Sequence, residues 1–413
     1  MALFDEKGVF DKICKLSWPI RGHILRWDSK RKRLSADVSK NSLKTNRLIR
    51  YFKRVYATAM VLQVIFTNYN KNDTNTSITD KTEIAFYLAA MIANDFQLHE
   101  CWKKASEIVL YINGIVSFGE KYSKGQKKKW KSYTLLEKLN IGIAFSMYIT
   151  ATIFAFNFVF LQHWNDPCKS FFPGYQLLDE CHIFNITGNM VAPLKYIVIL
   201  FIKLIVLIFN YISFNVGVQS AAFVIGCLQS ICTITLCAHI ATFNKLWTAN
   251  EIPKLDAILI HMEVQVMATV FNEIQQGSLM MAAIVQPVIL LAICSFTLLK
   301  TPWNGNTIGA LGLFLLAVID TVLVLSVTLG GMAKVHNASK EAIEVMKRFV
   351  DISSNDTKKI IPTKKIKLHR KFVESCSPIK IKFGTNNFVE NDTPLNCIRH
   401  AFDLTVQLIL LGA

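Results

Sequence analysis

The residues best placed to do chemistry lie in the last 20 positions. Arg399, Asp403, Thr405 and Gln407 interrupt an otherwise apolar run from Pro394 to Ala413. Twenty helical residues reach about 30 Å, the thickness of a hydrocarbon core. A charge inside such a helix costs roughly 2.5–3.5 kcal/mol on insertion scales, so it faces a bundle interior or water. At helical spacing Thr405, Leu408, Ile409 and Gly412 share one face. Asp403 is expected to face the bundle interior or water. Two alternatives stay open for it: pairing with Arg399 at i,i+4, or a headgroup position if the helix begins only at Ala401.

Asp320 stands mid-run in LFLLAVIDTVLVLSV, either as a ligand or gating group or as a structural hydrogen-bond partner. Phe86, Tyr87, Phe154, Phe158, Phe296 and Phe314 fall in the outer halves of apolar runs. Aromatic walls with few polar groups suit small apolar or amphipathic ligands, although plain packing gives the same pattern. Cys168 and Cys181 flank a short polar loop, and if that loop is outside the cell a disulfide is reasonable. Asn72, Asn75 and Asn185 head glycosylation sequons. The remaining cysteines have no metal-ligand spacing. With no nucleophile motif and no His–Glu metal signature, neither an enzyme nor a cofactor is expected.

The elements that must position these residues are membrane spans. Hydrophobic residues make up 52% of 413, with 28 Phe, and several runs exceed 18 residues without a charge, too apolar for a soluble chain. The class is an all-α membrane protein with seven transmembrane helices, or eight if residues 194–243 hold two. A basic leader occupies 1–54, with KRKR at 30–33, best suited to a cytoplasmic anchor. Residues 55–243 hold spans one to four, a cytosolic linker and the glycosylatable external loops. A cytosolic anchor segment covers 244–276, and spans five and six cover 277–332, with Pro287 expected to kink the fifth. Gly330–Gly331 is expected as a turn before the cytosol. A second anchor segment with the pore lead-in covers 333–393, and the terminal helix covers 394–413. In that lead-in Lys380 and Lys382 alternate with Ile379, Ile381 and Phe383. Asp392 and Thr393 offer cap chemistry, and Pro394 fits the first helical position.

With the amino terminus inside, 39 of the 46 Lys and Arg fall in cytoplasmic segments and five in external loops. The positive-inside rule then places the carboxyl end outside. That layout argues against a G-protein-coupled receptor, as does the lack of an Asp-Arg-Tyr tripeptide and of any Asn-Pro. A secondary transporter would show paired broken helices. The +17 net charge lies beside spans, so membrane lipid rather than nucleic acid is its expected partner.

The layout as a whole resembles the arthropod gustatory and odorant receptor superfamily. Locally, Thr405 stands where gustatory receptors carry Thr-Tyr, followed by the apolar run QLILL, while Val406, Gly412 and Ala413 depart from the motif. The resemblance implies a divergent gustatory-like chemoreceptor in the plasma membrane. It further implies a homo- or hetero-tetrameric, ligand-gated, nonselective cation channel. A small organic ligand would sit in the outer half of each bundle, cytosolic helix extensions would form a central anchor, and the last helix would line the pore, with Thr405, Leu408, Ile409 and Gly412 on the pore face, a ring of Ile409 side chains closing it by dewetting and Asp403 at the lumen's edge on the cytosolic side.

Overall fold

A computed structural model describes most of residues 25–122, scattered positions within 138–230, and most of 232–411. A hairpin, β1 (Leu25–Asp28) and β2 (Arg33–Ala36), precedes α1 (Lys40–Asn70), α2 (Ile78–Lys103) and α3 (Ala105–Tyr122). Then come α4 (Cys232–Thr248), α5 (Lys254–Gln275), α6 (Ser278–Lys300), α7 (Ile308–Val324) and α8 (Gly330–Asn355). Two short strands, β3 (Lys382–Phe383) and β4 (Asn387–Phe388), lead into α9 (Thr393–Leu411). The helical class is as expected. Among the described residues, one helical stretch, Phe314–Arg348, is long and apolar enough to cross a membrane; Ile284–Lys300 is apolar but shorter.

That long stretch corrects one expectation. Gly330–Gly331 is no turn: Gly330 has φ −62° and ψ −36°, and the chain passes from α7 through one π-helical turn (Leu325–Leu329) directly into α8. Glycine is free to bend but takes helical angles where its neighbours supply the packing, and Leu325, Val327, Thr328 and Leu329 are all buried. Likewise α6 continues through Pro287 from Ser278 to Lys300.

The helices form two regions. In one, α6 is central, flanked by α2, α7 and α9. Gln97 Nε2 donates to Gln286 Oε1 at 2.9 Å, pairing the end of α2 with the start of α6, so these helices run antiparallel. In the other, α3, α4, α5 and the hairpin share an apolar core that includes Ile108, Ile112, Ile115 and Leu34. Tyr111 and Phe271 pack there with ring centroids 5.2 Å apart.

The hairpin revises the reading of the leader. The KRKR run caps it, with Asp28 Oδ1 accepting the Lys30 and Arg31 amides at 2.9 and 3.1 Å. Leu25, Trp27 and Leu34 point into the core. Asn113 of α3 holds both the amide and the carbonyl of Leu34, at 2.8 and 2.9 Å, serving as a strand neighbour for β2. Charge dominates the composition of this segment, and the three apolar residues that dock it are too few to show as a period.

One lysine joins the two regions. Lys104, between α2 and α3, donates to the carbonyls of Glu273, Ile274 and Gln276 at 2.6, 3.1 and 2.7 Å. These carbonyls are among those that the end of α5 leaves without helical partners, and an ammonium there also answers the helix dipole.

Candidate functional site at the terminal helix and the aromatic end of the bundle

The terminal helix starts as its sequence suggests. Asn396 N–H bonds the Asp392 carbonyl at 2.9 Å, and Thr393 Oγ1 accepts the Glu390 amide at 2.8 Å. Pro394 falls in the first turn, where no amide is needed. The lead-in is equally legible: Ile379 and Ile381 are buried while Lys380 and Lys382 are exposed. Two helices, α5 and α8, grip it. Asn272 of α5 donates to the Lys380 carbonyl and accepts the Lys382 amide, both at 2.8 Å. Ser339 of α8 accepts the Ile379 amide at 2.9 Å, and Gln265 of α5 donates to the Ser377 carbonyl at 3.3 Å. The run then pairs as β3 with β4, Lys382 opposite Phe388. No period or motif marks Asn272 or Ser339; each is one polar residue among several on an amphipathic helix.

Burial along α9 shows which face it uses. Pro394, Cys397, Ala401 and Thr405 are its buried residues, one stripe against α6. Thr405 is 2% exposed, and its hydroxyl lies 2.8 Å from the Ala401 carbonyl and 3.4 Å from the Ala292 carbonyl of α6. Thr405 therefore packs against α6 of the same chain, on the seated face of α9. The small side chain of Ala292 leaves room for that approach. Leu408 and Ile409 flank the seam, exposed and half-buried respectively. Gly412 lies outside the described residues. Asn396, Arg399, Asp403 and Gln407 are exposed. At about 100° per residue, Asp403 and Gln407 each sit about 160° from Thr405. Among the described ion pairs, none joins Arg399 to Asp403. Leu410 and Leu411 continue the exposed side.

Of the aromatic candidates, the described Phe86, Phe296 and Phe314 fall at one end. From the Gln97–Gln286 level, Phe86 is 11 residues back along α2 and Phe296 is 10 residues forward along α6. Both distances come to about 15 Å in antiparallel helices, so the two reach one level. There Phe86 meets Phe314 of α7 edge-to-face, centroids 6.0 Å apart at 88°. Phe314 is buried, and Phe86 and Phe296 are half-buried. Thr405 contacts α6 one turn from Phe296, so this aromatic end and the seam of α9 share a helix. The helix of α2 includes Tyr87, whose side chain lies outside the described residues. Phe154, Phe158, Cys168, Cys181, Asn72, Asn75 and Asn185 also lie outside them. Asp320 is half-buried on α7.

This fold has a counterpart among solved structures. The chain superposes on the insect olfactory receptor OR5 from Machilis hrabei with a TM-score of 0.62 at 10% identity, over 97% of this chain and 98% of that one. It has the insect olfactory-receptor fold. The same receptor in complex with eugenol gives a TM-score of 0.64 at 9% identity, over 98% and 99%. No protein-family model matches the sequence, and no curated protein matches it either. The insect olfactory-receptor fold at such low identity transfers the architecture and not the individual side chains, so the site stands on its own residues.

Proposed function

We propose that this protein is a chemoreceptor subunit of the insect odorant and gustatory receptor superfamily, acting as a ligand-gated, nonselective cation channel in the plasma membrane. The observation that carries the reading is the terminal helix. One face of α9 is seated on α6, while the opposite face leaves Asn396, Asp403 and Gln407 bare. In a helix of membrane-spanning length, a polar stripe cannot face hydrocarbon at low cost; it needs water or another subunit. Four such helices around an axis, each backed by its own α6, would direct that stripe inward.

On this reading Asp403 and Gln407 line the lumen, and Leu410 and Leu411 supply an apolar constriction that gates by dewetting. Thr405 is the fastening of α9 to α6, and Ile409 and Leu408 border the seam. The ligand is a small organic molecule held by Phe86, Phe296 and Phe314, with Tyr87, Phe154 and Phe158 as further wall candidates. OR5 was solved with eugenol, a molecule of that class. The layout adopted is seven spans with the amino terminus cytoplasmic and the carboxyl terminus outside. A Cys168–Cys181 disulfide and glycans at Asn72, Asn75 and Asn185 would then be extracellular.

The test is reversal potential in sodium gradients, with Asp403→Asn against wild type, on ligand-evoked current from the full chain. Reduced cation preference in the variant is the expected result. Unchanged permeability ratios would remove Asp403 from the lumen. Ligand panels that evoke no current, alone or with a co-expressed receptor, would argue against a channel.

A further inference from the structure

Where the first half of α1 packs against the last turns of α2, three arginines gather on one stripe. Arg47, Arg50 and Arg54 are spaced i, i+3 and i+7 along α1, and therefore share a face. The guanidinium carbons of Arg47 and Arg50 lie 5.9 and 5.5 Å from the centroid of the same indole ring, Trp102 of α2. Arg54 Nε bonds Asp95 Oδ2 at 3.2 Å. Arg50 is 8% exposed, and its Nε has no hydrogen-bond partner.

This arrangement lacks an anion. Two cations on one indole ring repel each other, and a buried guanidinium nitrogen without an acceptor is costly. The nearby carboxylates compensate only in part: Asp95 favours the charged form of Arg50, but burial outweighs it and no carboxylate oxygen bonds the Arg50 Nε. Asp95 is engaged by Arg54 and keeps one buried oxygen unpartnered, and Glu100 lies one residue beyond His99 on the other helix. His99 is held towards its neutral form by burial first and then by Arg50. Its Nδ1 is also unpartnered.

The surroundings indicate the anion's source. Leu48, Tyr51, Phe52 and Val55 are exposed apolar side chains on α1 beside the arginines, and α1 turns apolar beyond Arg54. Aromatic and basic residues interleaved at such a boundary mark the headgroup level of a membrane. Anionic lipids are concentrated in the cytoplasmic leaflet, and basic clusters next to spans attract them.

We propose that Arg47 and Arg50, stacked on Trp102 with Arg54 alongside, form a binding site for the phosphate of an anionic lipid headgroup. The site rests on the membrane reading above. Arginine suits it, because a planar fork can donate two parallel bonds to a phosphate while its face stays on the ring. The lipid acyl chains would lie along the exposed apolar side of α1.

The experiment is native mass spectrometry of the full chain released from vesicles of phosphatidylcholine, with and without phosphatidylglycerol. Incorporation of the protein is measured in both. The expected result is phosphatidylglycerol adducts on wild type, with apparent affinity about tenfold lower in Arg50→Gln. Arg47→Gln, at an exposed position, should lower it severalfold with the fold intact. Lys340→Gln, an exposed charge on α8, should leave it unchanged. Equal retention by wild type and both arginine variants overturns the proposal, as does an equal loss in Lys340→Gln. Inorganic phosphate that displaces the lipid at equal concentration would show a soluble-anion site instead. A chain that enters neither vesicle type would refute the membrane reading itself, whereas incorporation into both without lipid preference refutes only this site.

Discussion

Replacing Asn272 by alanine should release the pore lead-in locally while leaving the fold in place. The side chain makes two hydrogen bonds of 2.8 Å to the backbone of Lys380 and Lys382. Net contributions of about 0.5–1.5 kcal/mol each give a loss of about 1–3 kcal/mol. At 1.4 kcal/mol per tenfold, opening of this segment becomes about 5- to 150-fold more frequent. Ser339, Gln265 and the Val389–Ile381 backbone bond at 2.9 Å still hold the flanks, so the run stays docked. Hydrogen exchange on the purified full chain reads this directly, because the Lys382 amide is itself a donor to Asn272. Exchange should accelerate in peptides covering 380–383 and stay constant in α5. Asn272→Asp keeps the acceptor for Lys382 and loses the donor to Lys380, so its Lys382 amide should remain nearer wild type. If Ala and Asp variants both exchange like wild type at 380–383, the clamp is not what holds the lead-in, and the reasoning fails.

Phe86→Leu and Phe314→Leu should each raise the half-maximal concentration of an activating ligand. Their combined effect should fall short of the product by a coupling of about 0.5–1.5 kcal/mol; shifts that multiply cleanly would separate the two rings. His261 is buried, with an unpartnered Nε2, and burial pushes its pKa down. The unfolded chain takes up that proton near pH 6.5 while the folded chain resists it. Its contribution to stability is therefore full above about pH 6.5 and declines as pH falls. His261→Phe should make the acid limb of the stability profile shallower, and an identical limb would rule out this histidine. Thr405→Val should weaken the fastening of α9 to α6 and raise current without ligand. Basal current equal to wild type would place the coupling elsewhere.

The sequence carries local rules well and pairings poorly. The alternation of Ile379 and Ile381 with Lys380 and Lys382 was legible because strand period and burial coincide there, and the Asp392–Pro394 start because cap chemistry is local. Which face of α9 is seated was not legible. Thr405 and Asp403 are both polar residues in one apolar helix, and the choice between them is made by Ala292, more than 100 positions away. Phe86 and Phe314 could be named as aromatic wall candidates, but only the antiparallel register of α2 and α6 and the placing of α7 bring them together. The arginine stripe on α1 was visible as charge; its counterpart Trp102 is a single residue that no spacing links to it.

The three bonds from Lys104 also have a mechanical meaning. They fasten the lower end of α2 to the joint between α5 and α6, so that α2 pivots there rather than slides. Phe86 lies 18 residues from that pivot, an arm of about 27 Å. A tilt of α2 by about 10° would carry the ring by about 5 Å, roughly the width of an aromatic ligand. Asn113, nine residues beyond the pivot on the separate helix α3, would be displaced little. The protein thus has a long arm where a ligand would push and a short one where the hairpin is held, with a single ammonium as its fulcrum.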